Sequence, residues 1–249
     1  MWWLGVVAAI IGQNLPDISS SKVFLGPAGE RVEVVALKPV SKNLALIRVT
    51  NADSAHDGLV MPCEVRVSGS NSKYATKHNG SGWIIMSLDG GRADVEVPGR
   101  PAFVASFNKK ATAALEPEQI LAAQREQEAS GVLRLFQRQS YPKMEAKYEG
   151  LAQEAAAKLS KRCGHTVSMR FDWGSFSDEV MGDVNAWKAC APIVDHLERS
   201  CDKVKQADEV VCRMGTSFRL ELKAEAKEIS FTTTPAGQKD GPSFLSKQR

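Results

Sequence analysis

Residues 163–212 read CGHTVSMRFDWGSFSDEVMGDVNAWKACAPIVDHLERSCDKVKQADEVVC and contain four of the five cysteines in this chain of 249 residues. The gaps between these cysteines are 27, 11 and 11 residues, without a C-x-x-C pair. Structural zinc sites bring cysteines in close pairs, and thioredoxin-type redox sites need C-x-x-C. The spacing therefore argues against zinc and redox roles, and we expect no metal or other cofactor. Two disulfides are the favoured interpretation, with four buried free thiols as the alternative.

Four cysteines allow three pairings. Cys190 and Cys201 are expected on one helix at about 187–201, where eleven residues correspond to roughly 16 Å, too far for a disulfide. If this helix runs antiparallel to the following strand, Cys212 returns to the level of Cys190. Cys201 is then left for Cys163. The sequence thus favours Cys163 with Cys201 and Cys190 with Cys212.

The segment around these cysteines predicts a small α+β domain at 163–235. Strands are expected at 166–171, 209–214, 218–222 and 228–233, with a polar loop at 174–183 before the helix. The first part of the chain differs. Between residues 22 and 112, short apolar runs alternate with turn signals, which predicts an antiparallel β domain, a sandwich or a barrel. The expected strands are 32–37, 44–49, 64–67, 82–86, 93–97 and 103–107.

Residues 113–162 are rich in Ala, Glu, Gln, Lys and Leu, and predict a helical connector. Pro117 indicates a helix start, Gly131 a possible break, and a second helix is expected at 143–161. The fold class is therefore α+β: a β domain, a helical connector and a disulfide-linked α+β domain. An exposed apolar stripe on the helices at 117–162 would make them a partner-binding hairpin instead.

The chain begins with eleven apolar residues, a length typical of the hydrophobic part of a signal peptide and too short to span a bilayer. No Lys or Arg precedes them, so a start codon a few residues upstream or a buried first strand are alternatives. We expect residues 1–21 to be signal-like or disordered, residues 236–249 to be a flexible tail, and the mature chain to carry no transmembrane span. The predicted location is periplasmic or secreted. A net charge of +3 with interleaved acids gives no nucleic-acid footprint.

Several short motifs in both halves are similar to a group of bacterial exported proteins of unknown activity. Its members share a signal sequence, a β-rich first part and a disulfide-linked end. The resemblance covers most of residues 30–235 and implies export and cysteine pairing, but no activity. The matching motifs are Leu46-Ile47-Arg48-Val49, Asp57-Gly58, Glu64-Val65, Cys163-Gly164, Phe171-Asp172-Trp173, Ser175-Phe176, Cys190 and Cys201 around a helix, and Val210-Val211-Cys212-Arg213.

Candidate site residues are few, because the chain has four histidines and no G-x-S-x-G, H-E-x-x-H, P-loop or G-x-G-x-x-G motif. Cys63 with His56 and Asp57 is the best catalytic set and would suit a thiol hydrolase. Trp173, Phe176 and Trp187 surround the loop and could bind a glycan or peptide, or form core beneath it. The sequence favours a non-catalytic exported binding or envelope-associated protein with an unknown protein or envelope ligand.

Overall fold

The computed structural model describes residues 17–183 and 185–237, and these divide into two units. The barrel unit comprises residues 17–76 and 84–124, and the disulfide unit comprises residues 77–83 and 125–237. The expected α+β class is confirmed, with a β barrel first, helices next and a disulfide-linked α+β part last. Most of the predicted leader (1–16) and most of the predicted tail (238–249) lie outside the described residues.

The barrel is antiparallel and closed, with strands paired in sequence order and β1 joined to β8. Its strands are β1 Ile18–Leu25, β2 Arg31–Leu37, β3 Leu44–Thr50, β4 Val60–Ser68, β5 Asn71–His78, β6 Ser81–Asp89, β7 Arg92–Val95 and β8 Phe103–Phe107. The sequence missed β1, which begins inside the predicted leader, and β5. The first half of β1 is rich in Ser, which leaves only a short apolar run, Val23-Phe24-Leu25, and β5 is rich in polar residues and buries only Tyr74 and Thr76.

Strands β2 and β3 and the start of β4 are buried on both faces of the barrel sheet. This explains why apolar and polar residues alternate only in part along β2. On one face Val34 lies opposite Ile47, and Ile47 lies opposite Met61. On the other face Val35, Leu46 and Val60 pack against Ile120 and Leu121. A strand covered on both faces has no polar face, so its sequence lacks the period of two.

Four helices follow the barrel: α1 Lys109–Ala113, α2 Pro117–Ala129, α3 Val132–Gln137 and α4 Pro142–Cys163. Pro117 occupies the first turn of α2, as its fixed φ favours. Gly131 separates α2 from α3 with a φ of 79°, a left-handed conformation that glycine adopts without a steric penalty. The segment predicted as one helical connector, residues 113–162, therefore contains α2, α3 and most of α4. The division between the two units falls within α2.

The disulfide unit contains a four-stranded sheet in the order β11-β12-β10-β9. Its strands are β9 Ser168–Phe171, β10 Glu209–Met214, β11 Arg219–Lys223 and β12 Glu228–Thr233. Strands β9, β10 and β12 are parallel, while β11 runs antiparallel to β12. One face packs against α4 and the later helices through Met169, Phe171, Val210, Cys212, Ile229, Phe231, Leu159, Ile193 and Leu197.

Two local predictions in this unit are wrong. The expected loop at 174–183 holds a 3-10 turn, Trp173–Ser175, and a helix, α5 Asp178–Asp183. The expected single helix at 187–201 is two helices, α6 Ala186–Leu197 and α7 Cys201–Val204. Cys190 and Cys201 therefore lie on different helices, and the helix-length argument that separated them does not apply as stated.

Candidate functional site

Two disulfides connect the helices of the disulfide unit to one another and to its sheet. Cys163, the last residue of α4, is bonded to Cys201, the first residue of α7, with their Cα atoms 5.1 Å apart. Cys190 of α6 is bonded to Cys212 of β10, with Cα atoms 6.3 Å apart. These are the two pairs favoured by the sequence. The second bond fixes β10 one residue before Arg213, which faces the opposite side of the sheet.

The three aromatic residues considered for binding are built into the core of this unit. Phe176 is 0% exposed. Trp173 stacks on Phe171 with ring centroids 4.8 Å apart, and its indole nitrogen donates a hydrogen bond to Glu149 Oε1 at 2.7 Å. Trp187, in the first turn of α6, is partly buried against the same core. Their positions give these rings a packing role, the alternative that the sequence left open.

The possible catalytic set in the barrel unit is poorly suited to nucleophilic chemistry. Cys63 lies on β4, is 3% exposed, and its thiol donates to Met61 O at 3.4 Å. Burial raises the pKa of Cys63 to about 12, so the thiol is protonated near neutral pH, whereas the nucleophile must be a thiolate. The carboxylate of Asp57 instead accepts a hydrogen bond from Ala52 N at 3.1 Å within the loop before β4.

A concave surface of the disulfide unit lies at the carboxyl ends of its parallel strands. Strands β9, β10 and β12 end at Phe171, Met214 and Thr233, so these ends share one edge of the sheet. A cleft of about 410 Å³ opens there. We call it the strand-end cleft, and it is lined by Glu128, Ala129, Ser130, Gly131, Arg134, Arg170, Asp172, Gly174, Ser175, Arg213, Met214 and Thr232. Open α/β sheets characteristically bind ligands at this edge, and the volume suits a small molecule.

A hydrogen-bonded turn after β9 forms one wall of the cleft. The hydroxyl of Ser175 donates to Asp172 O at 2.6 Å and accepts from Met214 N at 2.9 Å, which joins the turn to the end of β10. Arg134 of α3 donates through Nη1 to Gly174 O at 2.6 Å. The cleft wall is therefore held by hydrogen bonds between side chains and backbone atoms, two of which join segments about 40 residues apart in sequence.

Two glycines allow α3 to approach this turn. A Cβ atom added at Gly131 would lie 2.6 Å from Gly174 Cα, closer than real Cβ contacts, and Gly131 also has the left-handed φ of 79°. A side chain at this position would therefore force the turn and the start of α3 apart. Glycine at position 131 is needed for the shape of the cleft.

Charged side chains cross the sheet face that carries the cleft. Arg213 Nε lies 3.0 Å from Asp172 Oδ2, and Arg170 Nε lies 3.0 Å from Glu209 Oε1. Both arginines also approach Glu228, each with Nη2 at 3.9 Å. Burial raises the pKa of Glu228, but the hydrogen bond from Lys223 and the nearby positive charges outweigh this effect, so its pKa lies below the ordinary value. Glu228 is thus an anion at neutral pH.

Within residues 17–183 and 185–237, no group of three or more His, Cys, Asp and Glu side chains is placed to hold a metal ion. No helix in the same ranges combines the length and hydrophobicity required to cross a membrane. Comparison with models of protein families, with curated proteins and with solved structures finds no match for this chain. The assignment of a function therefore depends on the geometry of the cleft and on the cysteines.

Sequence reasoning did not identify the polar residues of the cleft. Arg134 and Arg170 are absent from its candidates, and Asp172, Ser175 and Arg213 enter only as parts of longer motifs. A usable signal exists, because Asp172 follows β9 directly and Arg213 lies one residue before the end of β10. Polar residues at the ends of strands suggest a site when those strands are parallel. The order of the strands was the missing information.

Proposed function

We propose that this protein is a non-catalytic binding protein that acts in the periplasm or outside the cell, in association with the cell envelope, and that the strand-end cleft holds its ligand. Two disulfides support action in an oxidising compartment, because such bonds persist there and are rare in the cytosol. The resemblance to bacterial exported proteins agrees with this location and stays a prediction, as does the signal-like leader.

The observation that carries the proposal is the position of one disulfide relative to the cleft. Cys212 is bonded to α6 from one face of β10, and its neighbour Arg213 contributes to the cleft on the other face. A bond at this place limits the movement of the strand that carries Arg213 and Met214. Binding sites gain affinity when their side chains are held in place before the ligand arrives.

The burial of Cys63 argues against the alternative hypothesis that the protein is a thiol hydrolase. A thiol with a pKa of about 12 supplies almost no thiolate at neutral pH. The cleft itself pairs arginines with carboxylates and places a hydroxyl, that of Ser175, in hydrogen bonds with backbone atoms. These groups suit recognition better than bond cleavage.

Filling the cleft tests the proposal. Ala129 lines the cleft and is exposed at the end of α2, so Ala129→Trp places a large ring there without removing a polar contact. Ala122→Trp is the matched control, since Ala122 is also exposed on α2 but does not line the cleft. Thermal unfolding is measured with a panel of amino acids, organic acids, sugars and nucleotides.

We expect at least one compound to stabilise the unmodified protein and Ala122→Trp. At a concentration 100 times its Kd, the compound should add about 2.7 kcal/mol and raise the Tm by about 5 °C or more. Ala129→Trp should show no such increase. The proposal is wrong if no compound stabilises the protein, or if Ala129→Trp responds as the control does.

A further inference from the structure

We propose that the ligand of the strand-end cleft carries an oxyanion, a carboxylate or a phosphate, which the guanidinium groups of Arg134, Arg170 and Arg213 bind. This inference rests on the proposed function and adds the chemical class of the ligand. Its basis is the arrangement of charge on the cleft walls, which carry three arginines and two acidic side chains, Glu128 and Asp172.

Arg134 supplies a positive charge to the cleft. Its recorded hydrogen bond goes to a neutral acceptor, Gly174 O, through Nη1. Among the ion pairs formed by the described part of the chain, none within 4.0 Å involves Arg134. A backbone carbonyl accepts a hydrogen bond without cancelling the charge of the guanidinium. Arg134 is exposed at the rim, where an entering anion would meet it.

Arg170 and Arg213 are oriented so that part of each guanidinium remains available. Arg170 donates a hydrogen bond from Nε to Glu209 Oε1 at 3.0 Å. Arg213 Nε lies 3.0 Å from Asp172 Oδ2 in an ion pair, and this buried nitrogen has no hydrogen-bond partner among the described residues. The Nη2 atoms of both arginines lie 3.9 Å from Glu228, which is an electrostatic contact and too long for a hydrogen bond. A guanidinium has five N–H donors, so these carboxylates position the two side chains without using all their donors.

Arginine is the residue best suited to oxyanions, because its planar donors match two oxygens of a carboxylate or phosphate at once. The charge of Arg134 favours an anionic ligand over an uncharged or a cationic one. The cleft volume of about 410 Å³ has room for one small molecule that bears such a group. The same chemistry is offered by a free carboxylate or by a phosphate ester.

The test is isothermal titration calorimetry with disodium succinate and with sodium phosphate, at ionic strength held constant with sodium chloride. The variants are Arg134→Gln and Arg170→Gln. Arg219→Gln is the matched control, because Arg219 belongs to the same unit and is exposed, pairs with Glu221 at 3.4 Å, and does not line the strand-end cleft. Arg134→Gln also loses a contact to Gly174, so Arg170→Gln keeps the test independent of that wall.

We expect one of the two anions to bind, and Arg134→Gln and Arg170→Gln each to weaken it by about tenfold or more, as loss of a hydrogen bond to a charged group implies. Arg219→Gln should change the Kd by less than about twofold, the size expected for an exposed ion pair. Binding of succinate alone identifies a carboxylate as the group bound, and binding of phosphate alone identifies a phosphate group.

The inference is overturned if neither anion binds, or if all three variants bind alike. Its failure is distinguishable from failure of the proposed function. Suppose that a neutral compound stabilises the protein and does not stabilise Ala129→Trp. The ligand then needs no oxyanion, and the cleft is still the binding site. An anion that binds equally well to Ala129→Trp would reject the cleft itself.

Discussion

The barrel unit and the disulfide unit use cysteine in opposite ways. The barrel unit holds a single buried thiol, Cys63, and closes its sheet on itself through β1 and β8. The disulfide unit has an open sheet of four strands, held to its helices by the bond between Cys190 and Cys212. A closed barrel has no strand edge and needs no covalent restraint to hide one. The open sheet keeps two edge strands, β11 and β9, and its cleft lies at the carboxyl ends of β9, β10 and β12.

Each unit buries one charged residue, Glu33 in the barrel unit and Arg138, which is 5% exposed and pairs with Glu145, in the disulfide unit, but only the disulfide unit has charged groups on its cleft. In the barrel unit Glu33 is 3% exposed and accepts hydrogen bonds from Arg31 and Arg48, at 2.8 and 2.5 Å. In the disulfide unit Arg170 and Arg213 are partly exposed beside the cleft. The first arrangement stabilises an interior, whereas the second leaves charge where a ligand can reach it. The proposed function places recognition in the disulfide unit, where these arginines lie.

The largest expected effect comes from removing both disulfides with Cys163→Ala, Cys201→Ala, Cys190→Ala and Cys212→Ala together. The bonds close segments with sequence separations of 38 and 22 residues. In the chain-entropy model they contribute about 4 and about 3 kcal/mol. Hydrogen exchange followed by mass spectrometry should show lost protection in β9, β10 and β12.

The barrel strands should keep their protection in the same experiment. Cys63→Ala is the control, because it removes a cysteine from the barrel unit and leaves both bonds intact. Full protection of β10 in the variant without disulfides would contradict the assigned difference between the units.

Breaking the buried ion cluster of the barrel should have the next largest effect. Glu33→Gln removes a charge that two arginines bind, and should lower the free energy of unfolding by about 1–3 kcal/mol at pH 7. Glu64→Gln is the control, since Glu64 pairs with Arg66 at 3.2 Å on the exposed surface, and should cost less than about 1 kcal/mol. Urea denaturation measures both.

Lowering the pH should reduce the difference in the free energy of unfolding between Glu33→Gln and the unmodified protein. Burial raises the pKa of Glu33, but hydrogen bonds from Arg48 and Arg31 outweigh it, so the pKa lies below its ordinary value of 4.5. A carboxyl group with a lowered pKa stabilises the folded state above its unfolded pKa, and this contribution is lost as the pH falls through the folded pKa. If the two proteins differ in the free energy of unfolding by the same amount at pH 7 and at pH 3, Arg31 and Arg48 do not bind Glu33 as described.

The smallest expected effect is the labelling of Cys63 by iodoacetamide in the folded protein. With a pKa of about 12, only about one thiol in 10⁵ is ionised at pH 7. The folded protein should remain unlabelled for hours, and label fully in urea. Rapid labelling of the folded protein at Cys63 would restore the thiol-hydrolase hypothesis.

Much of the architecture was predictable because its signals are local. Strands β3, β8 and β10 contain continuous apolar runs, β12 alternates Ile229 and Phe231 with polar residues, and Pro117 and Gly131 delimit α2. Strand β1 was missed because Ser19, Ser20 and Ser21 interrupt its apolar residues, although tertiary pairing with β2 holds it in the barrel.

The cleft could not be predicted, because its residues come from four separate segments of the chain. Arg134, Arg170, Arg213 and Thr232 meet only once β9, β10 and β12 lie parallel in the observed order. No local pattern records that order. The sequence pointed to the aromatic residues instead, because it shows the size and polarity of each side chain but not its position in the fold.

The most direct test of the account is a non-reducing peptide map of the protein made in an oxidising compartment, with free thiols alkylated after denaturation. We predict a bond between Cys163 and Cys201, a bond between Cys190 and Cys212, and alkylation of Cys63 alone. Bonds from Cys163 to Cys190 and from Cys201 to Cys212, a bonded Cys63, or five alkylated cysteines would contradict it.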